Sequence, residues 1–560
     1  MHGSNMGRRS AAQALVDQLV LHGVEHVFCV PGESYLPVLD ALYDTPQIQV
    51  TVCRQEGGAA MMAEAVGRAT GRPGVCFVTR GPGATNASAG VYIAHQDCTP
   101  MILFAGQVDR RMRDREAWQE MDFSAVFGSM SKWAGQIDRG ERMAEYVSRA
   151  FHTASAGRQG PVVLALPRDM LDDPTEPNVL QPVSPLETAP GADELAQLQD
   201  LIEAAERPLL IVGGSRWDQD AYAAIHRFAE RFELPTLTSY RRGSLFDPDH
   251  RCYGGDLGLG ANPKLIARVK AADLLILAGG RLGEVASQGY SLLDIPAPKV
   301  KLVHIHPGAE EIGRVYQPHL AIHASPRRFA PALAALTLRT ARDPAEAQAA
   351  HRDYLDWSDV ATPQPGTLNF GEVMVWLRDH LPADAILCNG AGNYAAWINR
   401  YNRNSALTGH IAPTSGSMGY GFPAAVAMKR LYPDRPVVAL AGDGDFLMTG
   451  QEFAVAVQYA LPIVVIVADN GIYGTIRMHQ ERDFPGRVSA TDLVNPDFAA
   501  YARAFGGFGV TVEKTADFEA AFRAAQASGV PAIVHVKIDP DAIMPGTTLS
   551  KIRETALAKG

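Results

Sequence analysis

The stretch Pro436-Val-Val-Ala-Leu-Ala-Gly-Asp-Gly-Asp-Phe446 decides the fold, read together with Ile463-Val-Val-Ile-Val-Ala-Asp-Asn-Gly471. Each begins as an unbroken apolar run and ends in a turn of Gly, Asp or Asn. A run that is apolar at successive positions, not at alternate ones, predicts a strand buried on both faces, as in a parallel sheet covered by helices. The segment Gln451-Glu-Phe-Ala-Val-Ala-Val457 predicts the helix that follows the first strand. Ligands of open α/β sheets bind beyond the carboxyl ends of such strands. Glycines there let backbone N–H groups approach phosphate oxygens, and a helix N-terminus favours their negative charge. Two adjacent strand ends thus present Asp443 and Asn470, 27 residues apart, to one crevice. A hard cation such as Mg²⁺ takes oxygen ligands, usually one or two carboxylates with carbonyls, phosphates and water. Asp443, the side-chain oxygen of Asn470 and a backbone carbonyl at Ile472 suit that set. A lone Gly-Asp-Gly is a common turn; the second strand ending in Asn makes the pair a candidate site.

The same texture extends in both directions. Strands are predicted at His26–Val30, Val75–Val78, Met101–Ala105 and Val162–Leu166, then at Leu209–Val212, Leu274–Ala278 and Leu302–Ile305. The last third adds Ile386–Cys388, Val437–Ala441, Ile463–Ala468 and Ala532–Ile538. Two polar stretches read as linkers: one near 171–190, with Pro174, Pro177, Pro182, Pro185 and Pro190, and one near 341–366 that ends in Pro363 and Pro365. The expectation is an α/β protein of three doubly wound parallel-sheet domains, over 8–175, 191–340 and 366–545. The first and last pieces share a strand–Gly-turn–helix style.

The 560 residues exceed one hydrophobic core, in keeping with three domains. A net charge of −10 argues against nonspecific nucleic-acid binding. The run Arg110, Arg111, Arg113 and Arg115 is interleaved with Asp109, Asp114 and Glu116 and reads as a solvated face. Six cysteines lie far apart with no Cys-x-x-Cys pair, so buried free thiols are expected rather than a zinc site or disulfide framework. No apolar run reaches the ~18 residues that span a bilayer. The N-terminus lacks a signal-peptide pattern, Met1–Asn5 reads as a cloning remnant, and a bacterial-type cytoplasmic enzyme without nucleic-acid or membrane partners is expected.

Gly442-Asp443-Gly444 followed by Asn470 resembles the thiamine-diphosphate signature, at the spacing of the acetolactate synthase and benzaldehyde lyase branch. The resemblance implies that Asp443, Asn470 and the Ile472 carbonyl hold Mg²⁺, and that backbone groups at Gly444, Asp445, Tyr473, Gly474 and Thr475 hold the diphosphate. The family commonly has a small residue where this chain has Asp445. A second carboxylate beside a diphosphate is unfavourable unless it points away or shares the metal.

Two further features should accompany such a cofactor: a carboxylate on its pyrimidine ring and an apolar wedge that keeps its rings bent together. Arg54-Gln-Glu-Gly-Gly-Ala-Ala60, opening a helix through Arg68, resembles the family's His-Glu-Gln-Gly-Ala segment and implies Glu56 as the activating glutamate, with Gln55 in place of the His. Gly416-Ser-Met-Gly-Tyr-Gly-Phe-Pro-Ala-Ala425 resembles Gly-Thr-Met-Gly-Phe-Gly-Leu-Pro-Ala-Ala. That match implies Met418 as the wedge and the Gly416 carbonyl as acceptor from the pyrimidine amine. Gly392-Asn393-Tyr394 with Trp397 resembles the Gly-Gln-His…Trp that contacts the terminal phosphate. In the family the glutamate and the metal site meet across a subunit interface, so a homodimer is the implied minimum unit and a homotetramer is common.

Phe28-Cys-Val-Pro-Gly32, Gly81-Pro-Gly-Ala-Thr-Asn86 and Trp118-Gln119-Glu120 also match family segments. They imply Asn86 at the cofactor, and Gln119 and the backbone after Gly32 facing the reacting carbon, where an N–H could stabilise an oxyanion. Lys132 falls where acetolactate synthases carry a Lys, with a surface lysine the equal alternative. Departures cluster here: Glu33-Ser34 replaces Gly-Ala, Arg80 replaces a small residue, and His479 aligns with a substrate-selecting Trp. They point to a different or more polar acceptor. The middle piece resembles a domain that binds FAD in some branches and nothing in others. Pro208–Gly214 and Ala278–Arg281 are strand–turn elements, but neither is a Gly-x-Gly-x-x-Gly fingerprint, and FAD is not favoured. The leading reading is decarboxylation or carboligation of a 2-oxo acid such as pyruvate with a carbonyl acceptor. The alternatives are a flavin-linked oxidase or dehydrogenase, a benzaldehyde-lyase type C–C lyase, and a cofactor-binding relative without turnover. The last is disfavoured by the joint presence of Glu56, Met418, Asp443 and Asn470.

Overall fold

Every predicted strand forms, and each joins one of three six-stranded, wholly parallel sheets in the computed structural model, which describes residues 9–176 and 180–559. Met1–Asn5 and Pro177 lie outside those residues, as does position 8, where the first domain was expected to begin. The chain divides into two compact units, Met1–Leu186 with Val426–Leu431, and Glu187–Ala425 with Tyr432–Gly560.

In the first unit the strand order is Gln49–Val52, His26–Cys29, Gly74–Val78, Met101–Gln107, Pro161–Pro167, Trp133–Gln136. The three central strands Gly74–Val78, Met101–Gln107 and Pro161–Pro167 are buried at every position, which explains their unbroken apolar reading. Helix Ala11–Leu21, opened by a capping box at Ser10, packs on one face with Met143–Ser155. The order places a topological switch point between the strands ending at Cys29 and Val78.

The second unit carries two sheets. The first runs Tyr253–Leu257, Thr236–Ser239, Pro208–Val212, Leu274–Ala278, Lys301–His306, Leu320–His323. The other runs His410–Ile411, Ile386–Asn389, Val437–Gly442, Val464–Asp469, Ala532–Lys537, Phe508–Val512, with the same sequence-to-space order as the first unit's sheet. Its switch point lies between the strands that end at Asn389 and Gly442.

Three expectations need correction. The predicted linker near 341–366 contains a helix, Ala345–Ser358, because Ala347, Ala350 and Tyr354 recur on one face and bury against the strand Tyr253–Leu257. Its many polar residues occupy the other face and gave the linker reading. The arginine run is not wholly a solvated face either: Arg110 pairs with Asp169 at 3.0 Å and Asp173 at 2.8 Å, while Arg111 stays exposed. The first linker begins later than predicted, since Asp169–Asp172 is a 3₁₀ turn and Pro174–Thr175 pairs with Arg9–Ser10. All six cysteines are buried free thiols, as expected. No helix among the described residues is long and apolar enough to cross a membrane.

Candidate active site

At the last sheet's switch point, the strand Val437–Gly442 gives way at once to a one-turn helix, Asp443–Phe446, and Val464–Asp469 ends beside it in Asn470. The two strand ends are tied directly: Gly471 N donates to Asp443 Oδ2 at 2.9 Å. Asp443 Oδ1 accepts from its neighbour Gly444 N at 2.9 Å, and Asn470 Oδ1 from Ile472 N at 3.3 Å. Asn470, Gly471 and Ile472 thus form a tight turn with Gly471 at φ 67°, a left-handed backbone suited to glycine. Helix Gly474–Asp483 starts immediately after, so Gly474 and Thr475 stand at its N-terminus. Thr475 Oγ1 donates to Asn393 Oδ1 at 2.8 Å, which joins two segments the sequence reading assigned to one diphosphate. A Cβ on Gly444 would meet the Tyr473 ring at 2.6 Å, so this turn and Tyr473 fit only around glycine.

Asn495, which sequence reasoning missed, completes the arrangement. Its Nδ2 donates to Asp443 Oδ2 at 2.7 Å and to Asp469 Oδ1 at 2.8 Å. Asp469 also accepts from His535 Nε2 at 2.8 Å and Lys537 Nζ at 2.5 Å. Although burial opposes it, those hydrogen bonds from His535, Lys537 and Asn495 hold the Asp469 carboxyl well below its ordinary range. Burial, and then the neighbouring charge of Asp469, push the Asp443 carboxyl up. Asp443 is therefore a buried anion short of positive charge. A divalent cation would supply it, and the oxygen donors of Asp443, Asn470 and Ile472 suit a hard ion. Among the described residues no three His, Cys, Asp or Glu side chains gather into a metal-binding group. A cation here would take its remaining ligands from phosphate and water.

Asp445 turns its side chain away from this turn. The buried carboxylate accepts from Gly419 N at 2.7 Å, Tyr394 Oη at 2.7 Å and Ala391 N at 3.2 Å. Tyr394 Oη also accepts from Gly390 N at 2.9 Å, and the Gly390 carbonyl accepts at 2.6 Å from Nη1 of Arg241, in the turn after the middle sheet's strand Thr236–Ser239. Asp445 therefore clasps together the 390–394 loop, the Gly416–Gly419 loop and the Gly442–Asp445 turn. Burial raises its carboxyl to about 6, against the hydrogen bonds from Tyr394, Gly419 and Ala391. Gly392 stands in that first loop at φ 145°. Gly416, at φ 67°, is exposed with open space beyond it, and Met418 beside it is half-buried.

In the first unit Glu56 is the first residue of helix Glu56–Thr70, capped by the Gln55 side chain, which accepts from Gly58 N at 3.0 Å. The Gln that replaces a family His thus acts as an N-cap. Glu56 Oε2 accepts from Asn86 Nδ2 at 2.9 Å on helix Arg80–Asp97. The helices approach closely through Gly90, where a Cβ would overlap Ala60, and Gly57, where one would lie 3.1 Å from the Asn86 carbonyl. Gly32 ends the neighbouring strand's loop, and a Cβ there would sit 2.5 Å from Thr79 Cβ. Gln119 adopts φ 65°, and its carbonyl accepts from Gly81 N at 3.0 Å, so this loop is pinned to the start of the Arg80–Asp97 helix. Lys132 donates to the Ala156 carbonyl, the cap of helix Met143–Ser155, at 2.6 Å, which is a helix-terminus contact.

Family models match all three sheets. The N-terminal thiamine pyrophosphate-binding domain of thiamine pyrophosphate enzymes covers residues 9–126, their central domain 195–333, and their C-terminal thiamine pyrophosphate-binding domain 390–536. The chain is 33% identical over 549 residues to the acetolactate synthase large subunit of Parasynechococcus marenigrum, covering 94% of this chain and 87% of that one. The chain belongs to the thiamine pyrophosphate enzyme family. It is also 31% identical to the acetolactate synthase isozyme 2 large subunit of Escherichia coli, across 97% of this chain and 99% of that one. The large subunit of Corynebacterium glutamicum is 30% identical over 96% of this chain and 88% of its own. As a member of this family the chain is an enzyme with the three-domain α/β architecture expected from its sequence.

Proposed function

We propose that the protein is a thiamine-diphosphate- and Mg²⁺-dependent enzyme that decarboxylates a 2-oxo acid such as pyruvate and joins the remaining fragment to a carbonyl acceptor, as the name acetolactate synthase describes for its relatives. The observation that carries the reading is the tie from Gly471 N to Asp443 Oδ2, which sets Asp443 and Asn470 side by side at the ends of two paired strands. In this reading Asp443, Asn470 and the Ile472 carbonyl hold Mg²⁺, and the amides of Gly444, Asp445, Tyr473, Gly474 and Thr475 with Gly392, Asn393 and Tyr394 hold the diphosphate. Thiamine diphosphate, when bound, supplies the nucleophilic carbon. The chain's own residues would orient it and move its protons: Glu56, steered by Asn86, would hold a proton at the pyrimidine ring, the Gly416 carbonyl would accept from the pyrimidine amine, and Met418 would pack against the cofactor. Gln119 and the backbone after Gly32 face the substrate carbonyl.

A flavin has no part in the proposal. At the middle sheet's switch point a Cβ on Gly214 would overlap the Gly279 carbonyl, and Trp217 lies against Gly279, so the two candidate turns pack on each other. Arg241, in the turn after the strand Thr236–Ser239, is engaged at Gly390. We infer a homodimer as the minimum active unit, a homotetramer as the larger assembly, domain limits of 8–175, 191–340 and 366–545, and a cytoplasmic location. The decisive experiment incubates the holoenzyme with 2-oxo acids and aldehydes and identifies products by NMR. Ligated hydroxyketones or hydroxy acids with release of CO₂ support the proposal; a yellow protein that instead consumes oxygen or an electron acceptor would replace it with the flavin-linked alternative.

A further inference from the structure

Arg80 begins helix Arg80–Asp97 at the first sheet's switch point, where the strand Gly74–Val78 ends beside the loop that holds Gly32 and Glu33. Its side chain is only 16% exposed, yet its donors are poorly matched. Nη1 reaches the Trp118 carbonyl at 3.4 Å and stands 3.9 Å from Glu33 Oε1, beyond hydrogen-bond range. Nε is buried with no hydrogen-bond partner. Glu33 itself is 62% exposed, so its pairing with Arg80 is weak and screened. A desolvated guanidinium with an unmatched donor is unfavourable, and a ligand carboxylate, which takes two parallel N–H bonds from Arg, would relieve it.

The surroundings fit such a ligand. Trp118, 71% exposed, holds its ring 5.7 Å from the Arg80 guanidinium and offers an apolar face beside the charge. Gly83, less than one helical turn beyond Arg80, would bring a Cβ within 3.2 Å of Glu56 Oε1, so the Glu56 carboxylate lies against the same helix start that carries Arg80. Gln119 is pinned to the same helix start through Gly81.

We propose that Arg80 is a specificity-determining residue that binds the carboxylate of the acceptor substrate, with Trp118 covering the acceptor's carbon chain and Glu33 competing for the guanidinium. The proposal rests on the carboligation reading above. The donor's carboxylate is a poor match, because it leaves as CO₂ and a fixed cation on it would stabilise the ground state and oppose its loss. An acceptor's carboxylate keeps its charge throughout, so binding it does not slow the reaction.

The test uses holoenzyme supplied with pyruvate and two acceptors that differ by a terminal carboxylate, propanal and 4-oxobutanoate, with a separate calorimetric titration of succinate. The wild type should prefer 4-oxobutanoate by about tenfold or more in kcat/KM, the scale of one well-placed charged contact. Arg80→Met should abolish that preference and weaken succinate binding about tenfold. Arg80→Lys, which keeps the charge without the fork, should retain part of both, and Glu33→Gln should strengthen both. A wild-type acceptor ratio or wild-type succinate affinity in Arg80→Met overturns the proposal, as does the absence of succinate binding in the wild type. If no donor and acceptor are ligated at all, the carboligation reading fails, and the succinate titration still decides the role of Arg80.

Discussion

Replacing Glu481 by Gln should loosen the helix whose N-terminus faces the proposed diphosphate site. Helix Gly474–Asp483 carries Gly474 and Thr475 at its start and Glu481 near its end. The Glu481 side chain is fully buried and accepts from Arg553 Nε at 2.7 Å, Arg477 Nε at 3.2 Å and Gly486 N at 3.0 Å. Arg553 belongs to helix Leu549–Leu557, so one carboxylate pins two helices and a loop. The Arg553 bond above all, with Gly486 and Arg477, holds the carboxyl down to about 2 from an ordinary 4.5. At ~1.4 kcal/mol per pKa unit, a shift of that size corresponds to about 3 kcal/mol. Arg553 is 39% exposed, and screening there reduces the figure to about 2 kcal/mol. Because the folded value is depressed, this stability is fully present above pH 4.5 and is lost as pH falls through about 2. A chain of several domains does not unfold in one step, so hydrogen exchange on Gly474–Asp483 and Leu549–Leu557 is the suitable assay. At neutral pH Glu481→Gln should exchange there with a local opening free energy about 2 kcal/mol smaller than wild type, and the gap should close steadily from pH 4.5 downward. Equal protection at neutral pH, or a gap that ignores pH, would refute the argument.

Three other outcomes follow from the site. Glu56→Gln should lower kcat by roughly 10²–10⁴-fold, while fluorescence titration finds thiamine diphosphate still bound in the presence of Mg²⁺; normal turnover of pyruvate would sink the assignment. Asp443→Ala should leave the purified protein without retained cofactor, and retention at wild-type stoichiometry would disprove the metal site. Asp445→Ala strands the donors of Gly419, Ala391 and Tyr394 and should weaken cofactor binding by on the order of tenfold, with Asp445→Asn intermediate; wild-type affinity in the alanine variant would show that the clasp does not hold the cofactor loops.

The pattern of what was legible in the sequence follows burial. The predicted strands occupy interior positions, where neighbours on both sides and helices on both faces demand apolar residues throughout. Six of the unpredicted strands, Gln49–Val52, Trp133–Gln136, Tyr253–Leu257, Leu320–His323, His410–Ile411 and Phe508–Val512, lie at sheet edges. There burial can be partial, as the mixed pattern of Leu320–His323 shows, or the run only two residues long, as at His410–Ile411. Thr236–Ser239 escaped although it lies inside its sheet, because Thr236 and Thr238 are buried polar residues that bond locally to the Leu234 carbonyl and to Asp256. At the site, Asp443 and Asn470 were legible because each immediately follows the end of a buried strand. Asn495 was not: it comes from an irregular segment, and only the folded chain sets its amide between two carboxylates. His535 left a faint mark, an imidazole inside the apolar run Ala532–Lys537, which a buried acid explains.

The first and last sheets share one strand order, and their switch points can be compared group by group. In the first, Ser34 Oγ and Thr79 Oγ1 join the two loops at 2.6 Å, and in the last Tyr394 Oη joins Asp445 Oδ2 at 2.7 Å. Both also use a glycine where the loops touch, Gly32 against Thr79 and Gly390 against Asp445. The difference lies in how the remaining polar groups are matched. Around Asp445 each oxygen meets a donor from the chain, so this crevice is organised before anything binds. Around Arg80 a buried donor is left without a partner, and its acidic neighbour is exposed and out of hydrogen-bond reach. A self-satisfied crevice suits a resident cofactor, whose loops must hold one shape through every turnover. An unsatisfied one suits a transient ligand that brings the missing acceptor. Substitutions at the two places should therefore separate, those at Asp445 changing how tightly cofactor is kept and those at Arg80 changing which acceptor is chosen.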